Sequence, residues 1–325
     1  MTRHGFIDIQ LNGFKGVNFS APDLTLDQVR MATRELVKAG TTAYCPTVVT
    51  SSLDNFKHSL PILAQAMLDP ELKPHLLGIH MEGPFISPIV GARGAHPPEN
   101  IIKPDVDTFK RFQEWADGNI VLLTLAPEVA GAMALIRYAS ENGTVVSMGH
   151  TLAEDAVMEA AVRAGARVCT HLGNGLPNMI NRHQNPLWWQ LACDDLTGIF
   201  ITDGHHLPAD YIKVALRAKT VKRFVVVSDA AHLAGLPPGV YDFNGNAAVL
   251  APNGRIGFKD TPYLAGSSAT MLQCMNYLAS LNLLTEADLW KVGYANPLRL
   301  INRRLGSQPA DSPAVVFKNN QFALA

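Results

Sequence analysis

Eight short apolar runs alternate with helical patterns between residues 6 and 279, and this alternation leaves few folds open. The runs are Phe6–Asn12, Ala43–Val49, Leu76–Glu82, Ile120–Ala126, Thr144–His150, Arg167–Leu172, Leu196–Thr202 and Arg223–Asp229. Their near-continuous hydrophobic character suits parallel strands covered on both faces. Helical patterns lie between them. Leu26–Ala39 carries Leu26, Val29, Leu36 and Val37 near helical spacing, and Ala153–Ala164 is alanine-rich and amphipathic. Pro208–Ala218 opens with a proline suited to a first helical turn. Repeated β/α units in series favour a closed barrel over an open doubly wound sheet. An open sheet would also advertise a Gly-rich phosphate loop after its first strand. Asn12-Gly13-Phe14-Lys15-Gly16 is only a weak match to one.

At 325 residues the chain exceeds the roughly 250 of a bare (β/α)8 barrel, leaving room for an insertion or appendage. The periodicity changes after the eighth run. Pro237-Pro238-Gly239, Val240–Phe243, Asn244-Gly245-Asn246 and Ala247–Leu250 read as a β-hairpin near 237–259. Residues 266–279 resume as helix, with further helical stretches near 285–294 and 296–304. The tail 314–323 reads as strand, Asn-Asn turn, strand. The expected organisation is a barrel over 5–304 that includes the hairpin, then a C-terminal β tail over 305–325.

Strand C-termini of such a barrel open onto one face, which carries the chemistry. Five of the runs end in polar residues: Gln10 and Asn12, Glu82, His150, His171, and Asp229. Each has an ordinary reading. A single strand-end histidine is more often a satisfied polar residue than a ligand. Gly149-His150-Thr151 fits a turn with a helix N-cap at Thr151. Glu82-Gly83-Pro84 fits a tight turn, and Asp229 fits a cap on the next segment. Together, on one expected face, they favour a metal site. Glu82, His150 and His171 supply one carboxylate and two imidazoles, the open donor set of a catalytic divalent ion. Asp229 is then placed to take a proton from water and return it to a leaving nitrogen. The expected fold is therefore an α/β TIM barrel of the metal-dependent hydrolase type with a reduced β appendage. Loop residues His96, Arg182, His183, His205 and His206 fall on the same face. Solvated surface groups are the plain alternative for them, but a basic rim suits an anionic group such as phosphate. Trp188-Trp189 reads as core or subunit contact more readily than as a ligand wall.

The net charge of −1, with no basic run, gives no footprint for a nucleic acid. No apolar stretch approaches the roughly 18 residues of a membrane span. Cys45, Cys169, Cys193 and Cys274 form no C-x-x-C pair, and because residues 1–5 lead straight into a strand pattern no signal peptide is expected. A reducing cytoplasm is the expected location.

The chain resembles the N-acetylglucosamine-6-phosphate deacetylases of the amidohydrolase superfamily. The resemblance rests on Gly5–Gly13, His80–Phe85, Gly94-Ala95-His96, Met148–Thr151, Thr170–Asn174, Thr202–His206, Val227–Ala230 and Leu264–Ser267, in family order. It implies Glu82, His150 and His171 as metal ligands and Asp229 as general base and acid. It implies His96 as the residue that holds the sugar or polarises the amide carbonyl, and Asn174 and Gly175 as a loop whose amides help hold the phosphate. Arg182 and His206 would contact the sugar phosphate, in part across a subunit boundary. The implied reaction converts N-acetylglucosamine 6-phosphate to glucosamine 6-phosphate and acetate, in a homodimer. Where many superfamily members carry His-x-His in the first strand, this chain has Gln10-Leu11-Asn12. Neutral amides are poor transition-metal ligands. One divalent ion is therefore expected, with Gln10 or Asn12 at most touching a water. Zinc suits the ligands best, and Fe(II), Mn(II) or Co(II) can occupy the same set.

The chain also departs from the family. Family members usually carry an N-terminal β segment ahead of the barrel, paired with C-terminal strands, whereas the first strand here is expected from residue 6, so a reduced sandwich is expected. Asn174-Gly175-Leu176-Pro177 stands where the family usually has Asn-Ala-Met, and a glycine there would loosen the loop. The competing readings are an amidohydrolase acting on a different N-acyl substrate and a non-catalytic sugar-phosphate-binding barrel.

Overall fold

The computed structural model describes residues 3–243, 245–259, 263–306, 312 and 314–325. Eight parallel strands form one sheet: β1 (Phe6–Leu11), β2 (Thr41–Val49), β3 (Ile79–Glu82), β4 (Ile120–Leu125), β5 (Val145–Met148), β6 (Ala166–Cys169), β7 (Thr197–Ile201) and β8 (Phe224–Val227). Neighbours in sequence are neighbours in the sheet. The seam between β8 and β1 closes at its C-terminal end. There Asp229 N–H donates to Gln10 O at 3.0 Å, and Asn12 N–H and Gly13 N–H donate to Ala230 O at 2.9 and 3.1 Å. The barrel is thus pinned shut beside Asp229.

Helices follow the strands as α1 (Leu26–Lys38), α2 (Leu53–Leu68), α3 (Val106–Trp115), α4 (Ala132–Glu141), α5 (Asp155–Ala164), α6 (Pro186–Ala192) and α7 (Ala209–Lys219). Their starts are chemically marked. Thr25 and Gln28 form a capping box on α1, and Ser52, Asp105 and Asn185 cap α2, α3 and α6 through their side chains. Helix α5 starts later than a cap at Thr151 would place it, with Glu154 at its N-cap.

Alternate strand residues go to two cores. Ile7, Ile9, Ile199, Ile201, Val225 and Val227 pack inside the barrel, whose floor is closed by Leu298 and Ile301. Phe200, Phe224 and Val226 face the helices, with the Phe200 and Phe224 rings stacked at 4.1 Å. Above the apolar interior, toward the strand C-termini, lies a buried polar layer. His80 Nε2 is 2.8 Å from Thr124 Oγ1, which is 2.7 Å from Thr170 Oγ1, itself 2.5 Å from Ser147 Oγ. Buried polar groups must find partners, and this hydroxyl chain supplies them at the level where the interior turns from core to site.

Asp8 belongs to the same logic. Burial lifts its carboxyl to about 7, opposed by bonds from the Ser228 side chain and from the Gln10 and Ser228 N–H groups. A folded-state pKa above the unfolded one stabilises the fold below about pH 4, and that contribution is lost as pH rises through about 7. The expected result is that Asp8→Asn gains on wild type by up to about 4 kcal/mol between pH 4 and pH 8. Urea unfolding of both proteins at both pH values, at matched metal content, checks this. A pH-independent difference would contradict it.

After β8, a three-stranded antiparallel sheet forms from β9 (Gly239–Phe243), β10 (Asn246–Leu250) and β11 (Ile256–Phe258). Asn244, in the expected hairpin turn, lies outside the described residues. Leu250 and Ile256 of this sheet pack on Ala231, Leu233 and Ala265, so it sits directly over the segment that follows Asp229. Helix α8 (Met271–Ser280) begins with a second capping box, Thr270 with Gln273. Of the expected tail, 307–311 and 313 lie outside the described residues. Its strands β12 (Ala314–Lys318) and β13 (Gln321–Leu324) pair with each other, and β12 pairs with Arg3–His4. Phe322 meets Phe6 and Trp290 edge-on at 5.0 and 5.2 Å. Among the described residues, no helix is long and apolar enough to cross a membrane. The four cysteines are free, and Cys45, Cys169 and Cys274 are buried.

Candidate active site

Three of the site residues lie just beyond their strands rather than in them. His150, His171 and Asp229 follow β5, β6 and β8 with φ of 50°, 29° and 49°. This left-handed backbone is costly for a residue with a Cβ and clusters at functional sites. It breaks the two-residue alternation, so the side chain after the strand turns over the barrel mouth.

Glu82 ends β3 and is buried. His150 Nε2 and His171 Nε2 lie 3.1 and 3.0 Å from Glu82 Oε1 and 3.0 Å from each other. His150 Nδ1 donates to Ala92 O at 2.7 Å, which leaves Nε2 as the nitrogen turned toward the carboxylate. Two imidazole nitrogens and a carboxylate oxygen at this spacing make a donor set for a cation. The triangle's edges are close to the separation of ligands sharing an ion at about 2 Å. Glu82, His150 and His171 therefore fit a divalent metal, and they are the group of possible metal donors found among the described residues. Burial alone would raise Glu82, but hydrogen bonds and attraction from His150 and His171 hold it well below the usual carboxylate range. His171 Nδ1 is buried without a hydrogen-bond partner among the described residues, and Nε2 is the nitrogen aimed at the cluster.

Asp229 lines the same cavity. Its Oδ1 accepts Gln10 Nε2 at 3.2 Å and Asn12 Nδ2 at 2.8 Å. Burial and the nearby Glu82 charge push its carboxyl up to about 7, against His171, His206 and Asn12, which lower it. The first-strand amides thus grip one oxygen of the aspartate and leave Oδ2 for other work. His96 Nδ1 is 2.8 Å from Thr50 Oγ1, and His96 Nε2 is 4.0 Å from Glu82 Oε1. Burial and His150 depress its pKa to about 3, so the ring is neutral, with Thr50 fixing its orientation.

The cavity has a volume of about 340 Å³, and its lining includes Glu82, His96, Asn174, Gly175, His206 and Asp229. Gly175, at φ +63°, presses against the site: a Cβ there would lie 3.0 Å from His150 Nδ1 and 3.3 Å from His171 Cε1. The glycine brings the loop closer to the imidazoles instead of only loosening it. Gly94 also approaches His150, and Gly91 packs on Pro177, so the loops after β3 and β6 meet over the cluster. His206 lines the cavity, whereas Arg182 and His183 are exposed and do not. His205 Nε2 is 3.0 Å from Asn253 O, toward the small sheet. Trp188 and Trp189 stand outside the cavity, and Trp188 Nε1 donates to Arg182 O at 3.0 Å.

Several supporting residues escape a reading of the sequence. Thr50 orients His96, and His232 and Phe243 line the cavity with their rings 4.9 Å apart. Glu128 holds the turn after His150: it accepts Thr151 Oγ1 at 2.5 Å and Leu152 N–H at 2.7 Å. Its one sequence signal was position, directly after β4 in Ala126-Pro127-Glu128. Glu128 holds the residues after His150 and not the ring itself, so Glu128→Ala is expected to weaken metal binding by roughly tenfold at most, the low end of what a direct partner of a ligand contributes. Competition with a chelator of known affinity measures this, and unchanged affinity would make Glu128 irrelevant to the site.

Fold and site together define the class: a (β/α)8 barrel of the metal-dependent amidohydrolase type. Comparison with known proteins gives the family. The chain is 32% identical over 295 residues to the N-acetylglucosamine-6-phosphate deacetylase of Bacillus subtilis (strain 168), covering 90% of this chain and 73% of that one. It is 34% identical over 330 residues to the enzyme of the same name from Bos taurus, covering 97% and 79%. A variant of the Mycobacterium smegmatis enzyme, solved in complex with N-acetyl-D-glucosamine-6-phosphate, superposes with a TM-score of 0.87 at 27% identity, covering 98% of this chain and 83% of that one. No family model matches. The chain belongs to the N-acetylglucosamine-6-phosphate deacetylase family, a family of hydrolytic enzymes.

Proposed function

We propose that this chain hydrolyses the acetamide of N-acetylglucosamine 6-phosphate, giving glucosamine 6-phosphate and acetate. One observation carries the reading: in a chain this similar to named deacetylases, Glu82, His150 and His171 converge within 3.1 Å on the cavity that Asp229 also lines. Glu82, His150 and His171 would hold one divalent ion, and we assign zinc. Such an ion would lower the pKa of a water toward about 7 and polarise a carbonyl. Asp229 Oδ2 takes the proton of the attacking water and passes it to the leaving nitrogen. Gln10 and Asn12 keep Oδ1 in place meanwhile. His96, neutral and braced by Thr50, offers Nε2–H to the carbonyl oxygen. Asn174, Gly175 and His206 hold the phosphate end.

Arg182 is exposed, so we assign it to the phosphate of a neighbouring subunit in a homodimer. The dimer surface is supported by exposed apolar residues around the two loops that meet over the site: Ile89 and Val90 on one, the 90% exposed Met179 on the other, and Trp188 in the first turn of α6. Light scattering is expected to return twice the chain mass. A monomer that keeps full preference for the phosphorylated sugar would remove Arg182 from this role. Free cysteines fit a reducing compartment, and we place the protein in the cytoplasm. The function itself is tested by product analysis of the metal-loaded protein with N-acetylglucosamine 6-phosphate. Equimolar acetate and glucosamine 6-phosphate are expected. Absence of both, with cleavage of another N-acyl compound, would reassign the substrate.

A further inference from the structure

The loop after β7 places Asp203 and His206 three residues apart, and neither side chain is accessible: 2% and 6% exposed. Asp203 Oδ1 accepts the N–H groups of His205 at 2.8 Å and His206 at 2.9 Å. Its Oδ2 lies 2.7 Å from His206 Nδ1. Burial would raise this carboxyl, but the His206 side chain and the two N–H bonds bring it down to about 2. The aspartate is an anion with both oxygens committed to its own loop.

The consequence falls on the other nitrogen. His206 lines the cavity. With Nδ1–H given to Asp203, the ring is held in one orientation and Nε2 is the nitrogen left to meet a ligand in the cavity. Asp203 itself is turned away from the ligand space by its three bonds.

We propose that Asp203 is a positioning residue that fixes the His206 ring through Nδ1 and turns its Nε2 toward the substrate's phosphate, so that the pair sets the preference for a phosphorylated sugar. This rests on the deacetylase reading above. A charge-assisted hydrogen bond of this kind is worth about 1.5–3 kcal/mol, roughly 10- to 100-fold.

The test compares wild type, Asp203→Asn, Asp203→Glu, His206→Gln and the Asp203→Asn/His206→Gln double variant. Acetate release is followed from N-acetylglucosamine 6-phosphate and from N-acetylglucosamine, with metal content measured on each sample. Asp203→Asn is expected to raise KM for the phosphorylated sugar by roughly 10- to 100-fold with kcat changed far less, and to lower the preference by the same factor. Asp203→Glu keeps the charge and retains more of the preference than Asp203→Asn. The double variant matches His206→Gln alone. The proposal is overturned if Asp203→Asn keeps the wild-type preference, if the loss falls on kcat, if Glu and Asn lose equally, or if the double variant is much worse than His206→Gln. A wild type that releases no acetate from either sugar sinks the deacetylase reading instead, and this proposal with it.

Discussion

Asp229→Asn is expected to lower turnover of N-acetylglucosamine 6-phosphate by about 10³-fold, within the 10²- to 10⁴-fold that general acid–base catalysis contributes. KM and metal content should stay near wild type. Asparagine has the same shape, and its Oδ1 can still accept Gln10 Nε2 and Asn12 Nδ2, now at 3.2 and 2.8 Å from Asp229. What it lacks is a second oxygen able to take a proton. The variant thus separates the aspartate's chemistry from its architecture. Steady-state rates and metal analysis on one sample decide it. Near-wild-type turnover would remove Asp229 from the proton-transfer role, and loss of metal would recast it as a ligand.

The second large effect concerns Glu82. Glu82→Gln leaves the backbone of β3 alone but replaces the anion between His150 and His171 by a neutral amide, a far poorer ligand. Removal of an outer partner costs about 10- to 100-fold in metal affinity, so loss of the carboxylate itself is expected to exceed about 100-fold. Activity should fall with occupancy and recover in part at high metal concentration. Equilibrium dialysis against graded metal measures it. A Glu82→Gln protein that carries metal at wild-type affinity would show that the ion sits elsewhere.

Much of the architecture is legible in the sequence because both faces of each barrel strand are covered. The apolar runs are then nearly continuous, as in Phe224–Val227, and stand out from the helices between them. Glu82, His150, His171 and Asp229 are visible for a related reason: polar residues at the ends of such runs are conspicuous. The turn geometry is not visible. A histidine at φ 50° or 29° looks like any other strand end until the backbone is seen to bend over the barrel mouth. Partners fixed by contact stay hidden too. Thr50 reaches His96 across 46 positions, and Glu128 reaches Thr151 across 23. Asp203 is closer to detectable, since an aspartate that accepts the N–H groups two and three residues later makes a recognisable turn. Arg182 shows the opposite limit. Its loop is on the right face, but the side chain is on the surface, and sequence pattern alone does not distinguish a rim residue from a lining one. Gly175 reads as flexibility in the sequence and as close approach to two imidazoles in the structure.

Deacetylation at this site would depend on one ion held by Glu82, His150 and His171. Its most direct test is a titration of zinc into metal-free protein, following acetate release from N-acetylglucosamine 6-phosphate. The expected result is a linear rise in rate that breaks at one ion per chain. A rate that does not depend on added metal, or a break at two ions per chain, would contradict it.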